Sequence, residues 1–217
     1  MLKRKFYDKL LDWKKKANKK PLFVRGARQI GKTYIIDYFG KTNYSSYIYI
    51  NFLENSEYKR IFDGALNAAT IYSRMSLMIQ SARFTENDTL IFLDEIQECG
   101  NARTALKFLA QDARYDIVVS GSLLGVQYKN VKSIPVGYEE PVTMHSLDFE
   151  EFLWAKGYSQ EQISALQESF LEQRKVDDLI NDVMHKELRE YMVSGGMPAV
   201  VQQFIEKRNF AEADEIQ

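Results

Sequence analysis

Short apolar runs alternate with segments of helical spacing over the first two thirds of the chain. Four runs have the length and flanking turn residues of buried strands: residues 21–26, 45–53, 88–96 and 115–122. Between them, helical spacing is found at residues 32–41, 56–81 and 102–112. Strands that alternate with helices predict a layered α/β domain with a mainly parallel sheet, and an extended segment at 133–147 is expected to complete it.

The two ends of the chain have a different pattern. Residues 2–20 carry apolar positions at near-helical spacing among many lysines, which predicts a short amphipathic helix that stops at Pro21. After "DFEEFLWAKGY" the sequence becomes acidic and helical, and "GGMPAVVQQFIEKRN" begins another helix after a turn. We therefore expect a core domain over residues 1–155, followed at 156–217 by a lid-like helical segment that begins a longer C-terminal region.

Composition limits the classes of function. The chain has 217 residues, 45% of them hydrophobic, and a formal net charge of -1, so the overall charge requires neither nucleic acid nor an anionic membrane as a partner. The single cysteine, Cys99, cannot form an internal disulfide, and neither a secretion signal nor a membrane-spanning segment is recognisable. We expect a soluble cytoplasmic protein without a membrane partner.

The first candidate site is the segment "GARQIGKT" at residues 26–33, which fits the phosphate-loop pattern G-x-x-x-x-G-K-[ST] at every specified position. Its glycines allow backbone N–H groups to face a phosphate, and the following helix adds its positive end. Lys32 is expected to reach the β- and γ-phosphates, and Thr33 to ligate Mg²⁺. The predicted nucleotide-binding residues are Gly26, Ala27, Arg28, Gln29, Ile30, Gly31, Lys32 and Thr33; for Arg28 and Gln29 a structural role at the rim is equally consistent.

The second candidate site is the end of the strand "LIFLDEI", where two carboxylates follow a buried apolar run. Mg²⁺ prefers oxygen ligands, so Asp94 is expected to hold the metal directly or through water. Glu95 can orient and deprotonate the water that attacks the γ-phosphate. This pair favours hydrolysis over transfer of the phosphoryl group to a metabolite.

The strand "YDIVVSGS" provides a third, weaker signal. Ligands bind at the carboxyl ends of parallel strands, so Ser120 or Ser122 could contact the γ-phosphate or the attacking water. Serine and glycine after a strand are equally typical of an ordinary turn. We predict a catalytic set of Glu95, Lys32, Ser120 and Ser122.

These pieces occur in an order that resembles the AAA+ branch of P-loop ATPases. More closely, "VRGARQIGKT", "TLIFLDEIQ", "IVVSGSLLG", "LDFEEFL" and "VSGGMPAVV" resemble a bacterial and archaeal group of ATPases whose AAA domain precedes a C-terminal domain of unknown function. The resemblance implies a three-layer P-loop NTPase fold with a small helical C-terminal subdomain, and ATP and Mg²⁺ as cofactors. It departs at Gly137-Tyr138, where relatives carry Gly-Arg, so an arginine role is not transferred there.

Other interpretations stay open at this point. A nucleotide-gated module that binds DNA or a protein with little hydrolysis is one alternative, and a P-loop kinase is another. The basic first helix is more typical of a solvated face than of a nucleic-acid contact. A homo-oligomer with an arginine finger is also open; Arg74, Arg83, Arg103 and Arg114 are the candidates, each more typical of an ordinary surface arginine.

Overall fold

The computed structural model describes residues 2–122 and 137–207. Tertiary contacts divide the chain into two compact units, one formed by Tyr7–Met144 and the other by Met1–Phe6 together with His145–Gln217. The division that the sequence placed at residue 155 stays a prediction, while the contacts divide the chain at residue 144. We call the first the sheet unit and the second the helical unit.

The sheet unit contains five parallel strands in the order β2-β3-β4-β1-β5. Their bounds are β1 Leu22–Gly26, β2 Ser46–Asn51, β3 Thr89–Asp94, β4 Asp116–Ser122 and β5 Glu140–Thr143. The parallel sheet predicted from the alternating pattern is thus confirmed. β5 lies within the predicted extended segment, of which residues 133–136 lie outside the described residues.

Four α-helices accompany these strands, with bounds α1 Lys5–Lys15, α2 Lys32–Asn43, α3 Ala68–Met78 and α4 Gly100–Asp112. The helical segment predicted at 56–81 is interrupted, since a 3₁₀ helix at Ser56–Phe62 precedes α3. The break falls where Gly64 adopts a left-handed conformation with φ 71°, which a helix cannot continue through. Asn67 then caps α3, its side chain accepting a hydrogen bond of 2.9 Å from the Thr70 N–H.

Both faces of the sheet are covered. On one face, strand residues such as Ile91 and Leu93 join a buried cluster with apolar residues of α3 and α4. On the other face, α2 lies so close that a Cβ on Gly40 would be 2.5 Å from Cε2 of the Tyr47 ring. Alternate residues of β3 therefore face different helices, which is why the whole strand is buried. The predicted three-layer arrangement follows from this packing.

The helical unit contains α5 Phe149–Ala155, α6 Gln160–Leu171, α7 Asp178–Ser194 and α8 Pro198–Lys207. Capping boxes at Asp148 and Ser159 begin α5 and α6, so the helix starts are encoded locally. Leu147, Phe152, Val201 and Phe204 form the small core of this unit. Within the described residues, no helix is long and apolar enough to cross a membrane.

Candidate nucleotide-binding site

The loop at residues 26–33 joins β1 to α2 and is shaped by its glycines. A Cβ on Gly26 would lie 2.5 Å from the Met144 carbonyl oxygen, so no larger residue fits there. Gly31 has φ 87° and precedes the first residue of α2. Between them Gln29 also has a positive φ, 63°, which bends the loop away from both regular elements. The backbone therefore curls over the N-terminus of α2, where its N–H groups are not used within the helix.

The side chains of the loop divide into buried and exposed ones. Ile30 is buried at 1% exposure and anchors the loop, whereas Ala27, Arg28 and Gln29 are exposed. Any contact of Ile30 with a nucleotide is thus restricted to its backbone. Arg28 and Gln29 are exposed, which fits both a structural role at the rim and contact with a nucleotide, so both roles stay predictions.

Lys32 is a buried cation at the centre of the loop. Its Nζ donates hydrogen bonds to the carbonyl oxygens of Gly26, at 3.1 Å, and Ala27, at 2.6 Å. Burial lowers the pKa of Lys32, and the nearby carboxylates of Glu95 and Asp94 oppose that effect. An ammonium held in this position is incompletely solvated, which favours interaction with an anion.

Asp94, at the end of β3, is the acceptor on which several elements converge. Thr33 Oγ1 donates to Oδ2 at 2.8 Å, although the two residues are 61 positions apart. Oδ2 also accepts from the Tyr49 hydroxyl at 3.1 Å, and Oδ1 accepts from the hydroxyl of Ser120. The carboxylate is 1% exposed and thus held in a fixed orientation by α2, β2 and β4. The two predicted metal ligands, Thr33 and Asp94, are brought together.

Glu95 follows Asp94 in a left-handed conformation, with φ 53° and ψ 48°. This region is costly for a non-glycine residue, by about 1 kcal/mol, and such strain is concentrated at functional sites. Its backbone N–H donates to Asp94 Oδ1 at 3.1 Å, and its carboxylate accepts from the side-chain amide of Gln97. Glu95 is half-buried, while its interaction with Lys32 is part of what opposes the burial effect on that lysine.

The two predicted serines on β4 have different positions. Ser120 is fully buried, so its hydroxyl is available to Asp94 rather than to solvent. Ser122 ends β4 opposite Gly26 in the parallel register, and its side chain lies outside the described residues. The predicted contact of Ser122 with a phosphate or water thus stays a prediction.

Sequence reasoning missed Tyr49 on β2. Its hydroxyl donates to Asp94 Oδ2 and also accepts from Asn51 Nδ2 at 3.1 Å. Burial raises the pKa of Tyr49, which keeps its hydroxyl protonated and able to donate. Side chains alternate between the two faces of a strand, so Tyr49 lies on the same face as Asn51 at the carboxyl end of β2. This spacing is the signal in the sequence that could have identified Tyr49.

The arginines considered as fingers have structural partners. Arg103 is 2% exposed and forms an ion pair with Glu139, so the expectation of a surface position is wrong for this residue. The carbonyl oxygens of Ile61 and Asp63 accept from Arg74, and Arg114 forms an ion pair with its neighbour Asp112 at 2.8 Å. Arg83 is exposed, as an ordinary surface arginine would be.

Lysines of the basic N-terminal segment also have intramolecular partners. Lys16 forms an ion pair with Glu140 at 2.6 Å, and Lys19 forms one with Asp116 at 3.0 Å. Lys14 donates to the carbonyl oxygen of Asn43. These contacts use charge that a nucleic-acid backbone would otherwise meet, and they favour the interpretation of this helix as a solvated, structural one.

Comparison of the sequence with protein families gives one match. The AAA domain family matches residues 18–153, which include the loop, β3 with Asp94 at its end, Glu95 and β4. No curated protein sequence matches the chain.

Solved structures similar to this fold include three from different organisms. C. elegans PCH-2 aligns with a TM-score of 0.50 at 11% identity over 92% of this chain. AMPPCP-bound DnaA from Aquifex aeolicus gives 0.49 at 16% identity over 94%, and Drosophila ORC bound to DNA gives 0.49 at 12% over 96%. This chain spans 59%, 60% and 64% of those chains, respectively. At these identities the similarity to PCH-2 concerns the fold alone.

Proposed function

This chain belongs to the AAA domain family, and we propose that it binds ATP together with Mg²⁺ and hydrolyses the nucleotide to ADP and inorganic phosphate. The observation that carries the proposal is the hydrogen bond of 2.8 Å between Thr33 Oγ1 and Asp94 Oδ2. It joins the end of the phosphate loop to the end of β3, where Asp94 is followed by Glu95. A glycine turn with only a structural role does not require this contact.

Binding of the nucleotide is assigned to the loop and to Lys32. The backbone N–H groups around Gly31 and the N-terminus of α2 provide donors and a positive potential for the β- and γ-phosphates. Lys32 exchanges its two carbonyl acceptors, Gly26 and Ala27, for phosphate oxygens, which are stronger acceptors because they are charged. Preference for ATP over GTP rests on the family relationship and is included in the test below.

The side chains present fit a magnesium ion. Thr33 and Asp94 offer a hydroxyl and a carboxylate oxygen side by side, which are the hard ligands that Mg²⁺ prefers. Among the described residues no cluster of three or more His, Cys, Asp or Glu side chains could hold a metal by itself. This suits an ion that takes its other ligands from phosphate and water. When bound, Mg²⁺ neutralises charge on the phosphates and polarises the bond to be broken.

The hydrolytic step is assigned to Glu95. Its carboxylate accepts a proton from the attacking water, the oxygen of that water bonds to the γ-phosphorus, and the bond from γ-phosphorus to the ADP oxygen breaks. Ser120 and Tyr49 hold Asp94 in orientation through hydrogen bonds and do not touch the reacting atoms. The left-handed backbone at Glu95 turns its side chain away from that of Asp94. The two adjacent carboxylates are therefore assigned different tasks, Asp94 to the metal and Glu95 to the attacking water.

The test begins with nucleotide binding by the whole chain. We expect ATP to bind more tightly with Mg²⁺ than with EDTA, and GTP to compete weakly. Lys32→Ala should weaken binding at least about tenfold, because a charge-assisted contact to phosphate is lost. Lys41→Ala is the matched control: Lys41 lies on the same helix, pairs with Asp37 on the surface and should leave affinity unchanged.

Products are then identified after incubation with Mg·ATP. ADP and inorganic phosphate in equal amounts support hydrolysis, whereas phosphate transfer that needs an added acceptor would identify a kinase. Binding without turnover, with an affinity that changes when duplex DNA is added, would identify a nucleotide-gated module. Equal affinity of the wild type and Lys32→Ala for ATP would contradict the assignment of the site.

A further inference from the structure

Gln97 lies two residues after Glu95, on the short 3₁₀ helix Ile96–Glu98, and bonds the carboxylate of Glu95. Its Nε2 donates to Glu95 Oε2; because a carboxylate only accepts, the amide nitrogen must face it. The amide oxygen is consequently turned inward, where it is buried with no hydrogen-bond partner among the described residues. Buried acceptors without a partner are rare and reduce stability. The hydrogen bond to Glu95 therefore holds the amide in an orientation that leaves its oxygen without a hydrogen bond among the described residues.

Space for this amide is provided by Gly121 on β4. A Cβ at position 121 would lie 3.1 Å from Gln97 Oε1 and 3.3 Å from the Phe23 ring. Both distances are shorter than ordinary van der Waals contact between such atoms. A larger residue at this position would push on the amide. The glycine between Ser120 and Ser122 lies within β4 and leaves space for the Gln97 side chain.

We propose that Gln97 is a positioning residue that holds the Glu95 carboxylate in the direction required for catalysis, and that Gly121 provides the room for it. The inference rests on the proposed function, in which Glu95 accepts the proton of the attacking water. Gln97 acts only through Glu95 and touches no reacting atom. Because a general base must be held within hydrogen-bond reach of its proton, loss of this contact should slow the chemical step rather than weaken nucleotide binding.

Three variants separate these effects. Gln97→Met keeps the length of the side chain and removes the donor, whereas Gln97→Glu places a carboxylate against that of Glu95. Glu98→Gln is the control, since Glu98 is exposed on the same turn. We expect kcat to fall about tenfold or more in both Gln97 variants, with KM for Mg·ATP and the dissociation constant of ATP within about twofold of the wild type. Glu98→Gln should change none of them.

Gly121→Ala is a second test, because it keeps the Gln97 amide and shifts its position, together with that of the Phe23 ring. It should lower kcat in the same way while ATP affinity is retained. A thermal melt of each variant identifies loss of folding, which would lower affinity and kcat together. If kcat of both Gln97→Met and Gly121→Ala equals that of the wild type, the inference is wrong.

A measurement that needs no turnover keeps this inference separate from the proposed function. In a ¹⁵N-labelled chain, one Gln97 side-chain amide proton should be shifted downfield by its carboxylate acceptor. The shift should disappear in Glu95→Ala and persist in Glu98→Gln. Absence of the shift in the wild type overturns the inference. If the wild type shows the downfield shift but kcat is unchanged in Gln97→Met, the inference is overturned and the ATPase assignment stays intact. If the wild type shows the downfield shift but does not hydrolyse ATP, the proposed function is refuted, and the catalytic role of Gln97 with it.

Discussion

Replacing Asp94 by asparagine tests whether this carboxylate serves the metal or only the fold. In the wild type, Asp94 is 1% exposed and accepts hydrogen bonds from the hydroxyls of Thr33, Tyr49 and Ser120 and from the backbone N–H of Glu95. Asparagine keeps the shape of the side chain and one oxygen acceptor, and replaces the other oxygen by an NH₂ group, which donates. The substitution removes the charge without creating a cavity.

The expected loss of stability is small because the partners can adapt. The N–H of Glu95 only donates, so the remaining oxygen of Asn must face it, while the hydroxyls of Thr33 and Tyr49 can rotate to accept from the new amide. Each hydrogen bond loses charge assistance, roughly 1 kcal/mol, and the end of carboxylate burial offsets part of that loss. We expect the free energy of unfolding to fall by about 1–2 kcal/mol. Metal affinity should fall about 10- to 100-fold, as it does when even an outer-shell partner of a metal ligand is lost.

The assay combines urea unfolding with titration of ATP in the presence of Mg²⁺ or EDTA. Asp94→Asn should lose most of the difference between the two nucleotide titrations while it stays folded. Asp112→Asn is the control, because Asp112 lies at the end of α4 and pairs with Arg114. An Asp94→Asn protein that binds Mg·ATP as tightly as the wild type would refute the placement of the metal at this carboxylate.

Three further substitutions test other parts of the account. Gly26→Ala should lower the free energy of unfolding by about 1–3 kcal/mol in urea, because its Cβ would meet the Met144 carbonyl; unchanged stability would contradict the packing of the loop. Burial lowers the pKa of Lys32, so above that lowered value and below the ordinary 10.5 the unfolded chain binds the extra proton; the wild type should gain stability with rising pH there, relative to Lys32→Met, and a flat difference would argue against this. Arg4→Met leaves the buried Glu151 without its cation and should cost about 3–5 kcal/mol, measured by thermal and urea unfolding.

The parts of the fold that could be predicted from sequence are those with local signals. The all-apolar run of β3 required a strand buried on both faces, and the glycines of the loop required a turn at a helix N-terminus. Because carboxyl ends of parallel strands meet at one edge, the sequence predicts that Lys32, Thr33, Asp94 and Ser120 lie close together.

Contacts made by residues of ambiguous type could not be predicted. Tyrosine is a residue type that commonly packs in a sheet, and only the register of β2 against β3 brings the Tyr49 hydroxyl to Asp94. An arginine on an amphipathic helix is usually exposed, so the burial of Arg103 against Glu139 and the Phe23 ring depends on tertiary packing. The direction of the Gln97 amide likewise depends on the left-handed turn at Glu95, a conformation that residue type does not indicate.

The most direct test of the central claim is phosphate release from Mg·ATP by the wild type and by Glu95→Gln, measured beside equilibrium ATP binding by both. We predict turnover by the wild type. We expect Glu95→Gln to bind ATP with the affinity of the wild type but to release phosphate at least about a hundredfold more slowly, since removal of a general base costs this much. Equal rates of phosphate release by the two proteins would contradict the role of Glu95 and with it the proposed hydrolytic site.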